Sequence, residues 1–495
     1  MKYKRLLASL LAVTMAVGVS ACGSDSSDSG ASTSAESTAA NDSAAEDSPQ
    51  EDVSFEVTSN VEVEETSAVE NLPEGEGSVI TYLGENDINP TRANPEKSTE
   101  LTLFEQKGGS IKFDRTSNAD RFDKLAASIA SQSNIPDIFK YEWLAFPSGV
   151  VKGMYQPIDS IVNFDSDLWK SAKETADQFM LAGEHYVAPL GYVASSMLLY
   201  NKAEIDANNL DDPFELYQNG EWNWANWQKI MKEYVSGGTG ENQRYGVNGF
   251  FRPHIVQQTG KTLVKYNSAD NTFESNLLDP DIEKAQVFLY DLMKEELVFN
   301  DWIGSAAECF NQNILFYAMG EWAYTGSAGP NTAEGNEWGL VPMPQYTDNP
   351  QKITTSDMTA YMWIRGSEKK DAVKAWFECC RIAKNDPQYE ETNNAKFKEN
   401  NPNWTDEMLQ ARADAVGDDY LMAFDYAYGV SYVMGDRNSF DGNQCLVDYL
   451  YTGPSTQDEE GNQPTWSQVR EKYSTTVESE LETLNKSIKE YESSH

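Results

Sequence analysis

Short apolar runs alternate along this chain with apolar residues at helical spacing, and that alternation constrains its fold more than any other feature. SVITYLG (78–84), DIFKY (137–141), SSMLLYN (195–201), WGLVP (338–342) and TAYMWI (359–364) have the length and apolar density of strands covered on both faces. Between them, Leu168, Ala172, Ala176, Phe179 and Met180 recur at helical spacing, as do Ile282, Ala285, Leu289, Leu292 and Met293. Asp279 and Pro280 stand where a cap and a first helical turn belong. Trp466, Val469, Tyr473, Val477, Leu481, Leu484, Ile488 and Tyr491 mark one face of a long final helix. Strands and helices in alternation predict an α/β body.

The ends of the chain carry different signals. Lys2, Lys4 and Arg5 precede an apolar run from Leu6 to Val19 that is short for a bilayer span. This is the shape of a secretory signal, and its end, Val19-Ser20-Ala21-Cys22, resembles the bacterial lipobox. The expectation is a lipoprotein signal peptide over 1–22 and a chain exported and anchored through lipidated Cys22, two acyl chains being enough for stable anchoring. Residues 23–77 hold 15 acidic residues and no Lys or Arg, which predicts a disordered acidic linker.

The remaining 418 residues have 64 acidic and 35 basic side chains, a net charge near −29. Such a surface repels phosphate backbones, so no nucleic-acid partner is expected. The size exceeds one comfortable core and predicts two lobes. Cys309, Cys379, Cys380 and Cys445 are too few for a disulfide scaffold. Cys380 shares an apolar helical face with Val373, Trp376 and Phe377, which favours buried thiols.

Catalytic and metal motifs are missing. GKT (260–262) lacks the phosphate-loop glycine, that position being Ile255, and three scattered histidines suit neither a zinc site nor an obvious base. No cofactor, metal site or catalytic residue is expected. Aromatic residues are abundant instead, with 12 Trp and 25 Tyr. Their apolar faces and polar rims suit sugars. Most must still be core: Trp376 and Trp466 lie on apolar helical faces, and EWNWANW (221–227) reads as a helix start packed on its lobe. Trp322, in MGEWAYTG (319–326), is either a core wedge or a stacking platform.

Five segments then follow in order: 124–159, with its IPDIFKYEW; 183–202, with its MLLYNK; NQNILFYAMGEWAYTG (311–326); WGLVPMPQ (338–345); and TAYMWIRGSEKKDAVKAWFE (359–378). Together they resemble the family 1 extracellular solute-binding proteins of ABC importers, the group that includes maltose-binding protein. The resemblance implies a two-lobed periplasmic-binding-protein-like fold of type II, each lobe a mixed sheet flanked by helices and discontinuous in sequence. Lobe I is expected from 78–182 with 344–400, and lobe II from 183–343 with 401–495. The resemblance also implies ligand contacts at Glu85, Asn86 and Asp87 after the first strand, and at Tyr141, Glu142 and Trp143 after the next. It extends them to Tyr192 and Ser195, to Trp322 and Tyr324, and to Trp363. Arg437 and Asp441, in MGDRNSFDG (434–442), are added from the local sequence, with a solvated loop as the alternative.

The expected function is capture of a carbohydrate, an oligosaccharide by preference, by closure of a cleft, without catalysis, and its delivery as a monomer to the permease of an ABC importer. A surface glycoside hydrolase or lyase is the alternative, separated by product formation from glycans; a non-importing adhesin would bind polymer without closing. Cys22→Ala should abolish labelling by a palmitate analogue and release the protein from membranes. A wild type that is unlabelled and freely soluble would refute the anchor.

Overall fold

The computed structural model describes residues 56–494, apart from 59–62, 65, 93, 196, 331–336, 350, 418, 437–443 and 459. Expectations for the signal segment, Cys22 and residues 23–55 lie outside these residues. The chain starts one sheet, crosses to a second and returns. First come β1 (Val79–Gly84), β2 (Ser110–Arg115), β3 (Ile138–Lys140) and β4 (Ala188–Ala194). After the crossing come β5 (Met197–Asn201), β6 (Tyr245–Gly249), β7 (Ile314–Met319) and β8 (Trp338–Pro342). The return is made by β9 (Lys352–Trp363) and β10 (Tyr420–Ala423).

In the first sheet the order is β10-β9-β3-β1-β2, and β4 pairs with β9 as well. Strand β1 is parallel to β2 and β3, while β9 runs antiparallel to β3 and β4. The second sheet is ordered β8-β5-β7-β6, with β7 and β6 parallel and β5 antiparallel to both of its neighbours. Each sheet mixes directions, and all the described residues belong to one compact unit.

The apolar runs become strands because both faces are covered: β7 and β8 are buried throughout. Helix α1 (Thr99–Gln106) is capped by Ser98, and α2 (Arg121–Ser131) buries Leu125. Helix α3 (Trp224–Ser236) begins inside EWNWANW, with Asn223 as its cap and Trp227 fully buried. Helix α4 (Pro280–Lys294) starts as the sequence predicts, the Asp279 carboxylate accepting from the Asp281 amide. Helix α5 (Lys370–Asn385) buries Val373, Trp376 and Phe377. Helix α6 (Asp406–Asp414) follows, and α7 (Trp466–Ser494) buries Val477, Leu481, Leu484 and Ile488 on one face. Asn485 on α7 exchanges two 2.8 Å hydrogen bonds with the Phe273 backbone, fixing the hairpin of Val264–Asn267 and Thr272–Ser275. The four body cysteines are free and buried.

Four expectations are corrected. The set from Leu168 to Met180 is not one helix: after two short turns, Lys170–Ala172 and Lys173–Asp177, Met180–Leu181 pairs with Glu184–His185. Ala182 and Gly183 take positive φ between them, so the chain reverses while Ala172, Ala176 and Phe179 stay buried. The crossing into lobe II comes after β4 rather than at 183, because β4 is bonded to β9 in the first sheet. Likewise 401–495 does not belong to lobe II alone, since β10 rejoins the first sheet. Finally, the end of the acidic segment is docked. Leu72 donates its amide to Lys107 O at 2.7 Å, Gln106 reaches Val63 O at 2.8 Å, and Val69 is buried. A few valines and one leucine among the acids are enough to seat it on the first sheet's core.

That docking brings Glu70 near Glu378 of α5. Burial pushes the Glu378 carboxyl up to about 7, with Glu70 adding to the rise and Lys374 opposing it. Between an ordinary carboxylate pKa and 7 the folded state holds a proton that the unfolded chain has lost, so stability falls as pH rises through this window. The loss should be about 1–2 kcal/mol after solvent screening. Glu378→Gln should flatten the decline in melting temperature from pH 5 to 8 and raise it at pH 8; an unchanged profile would refute the assignment.

Candidate functional site

The cleft edge of the first sheet is where β1, β2 and β3 end, since parallel strands all expose their carboxyl ends on one side. Glu85 follows β1 and is exposed, beside Arg115 at the end of β2 and Thr116 and Asn118 just after it. Asn86 and Asp87 are exposed too, although Asp87 Oδ1 is engaged by the Asn89 amide at 2.9 Å and its side-chain nitrogen at 2.8 Å. Glu142 follows β3. Its two oxygens accept from Nε and Nη2 of Arg121, the latter at 2.6 Å. Burial draws the Arg121 pKa down, but Glu142, Glu85 and Asp436 outweigh it and raise it. Trp143 is 46% exposed and lies flat on Tyr428, with centroids 4.7 Å apart and planes at 15°.

The second sheet contributes the ends of the parallel strands β6 and β7. Gly249 closes β6 with φ of 103°, and a Cβ there would stand 2.0 Å from Ala318 O, so only glycine lets β6 leave the sheet this close to β7. Phe250 follows it, 36% exposed. Beyond β7 the chain makes a 3₁₀ turn, Glu321–Ala323, that lifts Trp322 out of the protein at 57% exposure. A Cβ on Gly320 would meet Trp322 Nε1 at 2.8 Å and Ser195 O at 3.3 Å. The indole therefore lies over a glycine at the crossing, with Ser195 beside it. Trp302 is 64% exposed and stacks with Trp322 at 6.4 Å and 21°.

Glu321, like Glu142, is paired with an arginine. Arg412 grips Glu321 through Nε at 2.6 Å and Nη2 at 2.9 Å. Asp357, on β9, reaches water, yet the surrounding protein desolvates it and raises its pKa; nearby Lys140 opposes the rise and Glu321 adds to it. Asp357 thus sits among groups from both sheets. Among the described residues, no cluster of His, Cys, Asp and Glu could hold a metal ion, and no helix is long and apolar enough to cross a membrane.

The expected contact residues therefore divide. Glu85, Asn86, Glu142, Trp143, Ser195 and Trp322 stand at the strand ends or the crossing. Four others do not present their rings there. Tyr324 is fully buried, stacked on Trp404 at 5.9 Å. Tyr141 packs edge-on against Phe179 at 5.1 Å. Tyr192 lies near Thr175 and Arg381, on the face that α5 covers. Trp363 is 6% exposed at the far edge of the sheet, because β9 runs antiparallel to β3 and pairs its last residue with Ile138. Arg437 and Asp441 lie outside the described residues. Sequence reading missed Phe250, Trp302, Tyr428 and Asp357; position just after a strand was a usable signal for Phe250 alone.

The family of bacterial extracellular solute-binding proteins matches residues 90–380, more than half of the chain. The chain belongs to that family. Membership places this solute-binding protein outside the cytoplasm and makes it a binder rather than an enzyme at the level of the family. No curated protein is similar enough in sequence to match. Among solved structures it is similar to an ABC substrate-binding protein from Listeria monocytogenes in complex with cycloalternan, at 18% identity and a TM-score of 0.52, covering 83% of this chain and 98% of that one. It is also similar to the galacto-N-biose-/lacto-N-biose I-binding protein of an ABC transporter from Bifidobacterium longum, at 12% identity and a TM-score of 0.56, covering 83% and 99%. The sugar-binding protein MalE from Xanthomonas citri matches at 15% identity and 0.54, covering 83% and 98%. At such identities the likeness shows the fold, which is two-lobed α/β.

The exposures of Trp322 and Tyr324 predict opposite responses in the ligand-free protein. Trp322→Ala should change stability by less than about 1 kcal/mol, whereas Tyr324→Ala should cost about 3–5 kcal/mol, as for a buried aromatic. Denaturant melts check both; equal losses would contradict this division.

Proposed function

We propose that this solute-binding protein captures a carbohydrate between its lobes and delivers it to the permease of an ABC importer, tethered to the membrane through Cys22. The observation that carries the reading is the set of aromatic rings left open at the strand ends and on the loop beside them. Trp143, Trp302 and Trp322 are the exposed tryptophans among the described residues, and each directly follows an acidic residue in the chain, Glu142, Asp301 or Glu321. Flat apolar rings with acidic neighbours suit a pyranose, which has an apolar face and hydroxyl edges. Similar folds support it, since the relatives from Listeria and Bifidobacterium are in complex with cycloalternan and lacto-N-biose.

Glu85, Asn86 and Asp357 would accept or donate to hydroxyls, while Glu142 and Glu321 are held in place by Arg121 and Arg412. Trp322 would carry one sugar ring and Trp143 another from the opposite lobe. Arg437 and Asp441 belong to the proposal only as candidates from sequence. Ligand binding would stabilise the closed arrangement of the lobes, the form a permease reads.

A thermal-shift screen across neutral glycans, peptides and polyamines tests the class, with calorimetry on the hits. Trp322→Ala should weaken the best glycan by about 2 kcal/mol, about thirtyfold in Kd, with its melting temperature unchanged. Binding should vary little with salt. Stabilisation by peptides alone, or affinity that collapses with ionic strength, would reject the carbohydrate.

A further inference from the structure

The acidic segment ahead of β1 is fastened to the first lobe at several points. The Leu72 amide donates to Lys107 O at 2.7 Å, directly after α1, and Val69 is buried in the core beneath. Val63 O accepts from Gln106 Nε2 at 2.8 Å. Glu64 O accepts from the hydroxyl of buried Tyr389, on the helix Pro387–Asn400, at 3.4 Å. Thr58 is held on both sides: its amide donates to Pro95 O and its carbonyl accepts from the Lys97 amide, both at 3.0 Å. Glu96, between those two partners, is paired with Lys396 of the same helix as Tyr389.

Topology gives this strap a direction. Helix α1 ends at Gln106, shortly before Ser110, which opens β2 and pairs with Val79 at the start of β1. The helix therefore runs back from the cleft end of the strands to their far end, over about 12 Å. Its first turn confirms this, since Glu100 lies near Tyr361, which pairs with Lys140, the last residue of β3. Thr58 is bonded just ahead of that turn, on the segment that follows Glu85, Asn86 and Asp87. Leu72 is bonded just past the other end of the helix. The docked chain thus joins the start of β1, away from the cleft, to the cleft end of the same lobe.

We propose that the docked strap makes the membrane tether leave the body at the rim of the cleft, so that the cleft faces the bilayer and the permease within it. The inference rests on the tether reading above. Without docking, the tether would join the body at the start of β1, on the side away from the cleft. Val63, Val69 and Leu72 supply the apolar area that holds the strap down, and the Thr58 clasp fixes its exit. Residues 78–495 have a net charge near −29, which an anionic leaflet repels. Repulsion pushes the body outward against its tether, and the end that carries the exit stays nearest the membrane.

The test uses the chain from Cys22 onward, coupled through the Cys22 thiol to a maleimide lipid in vesicles that contain phosphatidylglycerol; the four body cysteines are buried. Donor fluorophores on unnatural amino acids at Ala119 and Ser133 report height above an acceptor in the bilayer. Both positions are exposed, and they flank α2, Ala119 at its cleft end and Ser133 at its far end. Energy transfer should place Ala119 nearer the bilayer than Ser133, by up to the length of α2, about 16 Å. Val69→Asp should free the strap, seen as fast hydrogen exchange at the Leu72 amide, and reverse the order; Val69→Ile should keep it. The double variant Cys22→Ser, Gly77→Cys, tethered at the far end with the strap docked, should show the reversed order too. A wild type with Ser133 nearer, or with both labels at one height, overturns the orienting role, as does a freed strap that leaves the order unchanged. Chemical coupling separates this from the anchor itself: a Cys22 that takes no palmitate label in cells refutes the anchor reading, whatever these distances are.

Discussion

The antiparallel pairing of β4 with β9 is the constraint on which the rest of this architecture depends. It runs from Ala188 opposite Tyr361 to Ala194 opposite Ser356, with one register shift between Thr359 and Ala360. One residue further on, the Ser195 amide donates to Thr355 O at 2.8 Å. The outgoing crossing is therefore bonded to the returning strand where the chain changes lobe. Two of the chain's crossings between the sheets are thus held side by side here. The same pairing brings Ser195 and Asp357 to the junction and carries Trp363 to the opposite edge.

Electrostatics at the cleft edges follow one pattern on both sides. Each lobe has an arginine fixed to a glutamate through two nitrogens: Arg121 to Glu142 in the first, Arg412 to Glu321 in the second. A forked pair fixes the carboxylate's direction as well as its charge. The second arginine is further positioned over the Phe397 ring, 4.4 Å from its centroid. Charges immobilised in this way present acceptors without inviting a strongly ionic ligand.

Aromatic side chains divide by what surrounds their loops rather than by type. Trp322 and Tyr324 are two residues apart, yet one is 57% exposed and the other fully buried. The turn Glu321–Ala323 rotates the chain between them, and Trp404 and Trp338, which pack edge to face at 5.9 Å, build the core that receives Tyr324. Trp302 and Trp169 likewise have nothing in sequence to tell them apart; the first is held out on a pinned loop and the second buried under Arg381.

Sequence by itself determined the elements: β1, β3, β5, β8 and the end of β9, the start of α4 at Asp279-Pro280, and the apolar face of α7. These are legible because periodicity, capping and apolar runs act over a few residues. It also determined the family, through the order of several weak segments. Only tertiary structure decided which strand partners which, and so where the crossing lies, because β4 and β5 are nearly contiguous and differ only in their hydrogen-bonded neighbours. It also decided that Val69 and Leu72 dock, that 168–180 bends into a hairpin, and which aromatics stay exposed. Those outcomes depend on long-range contacts between residues far apart in the chain, and no local pattern encodes them.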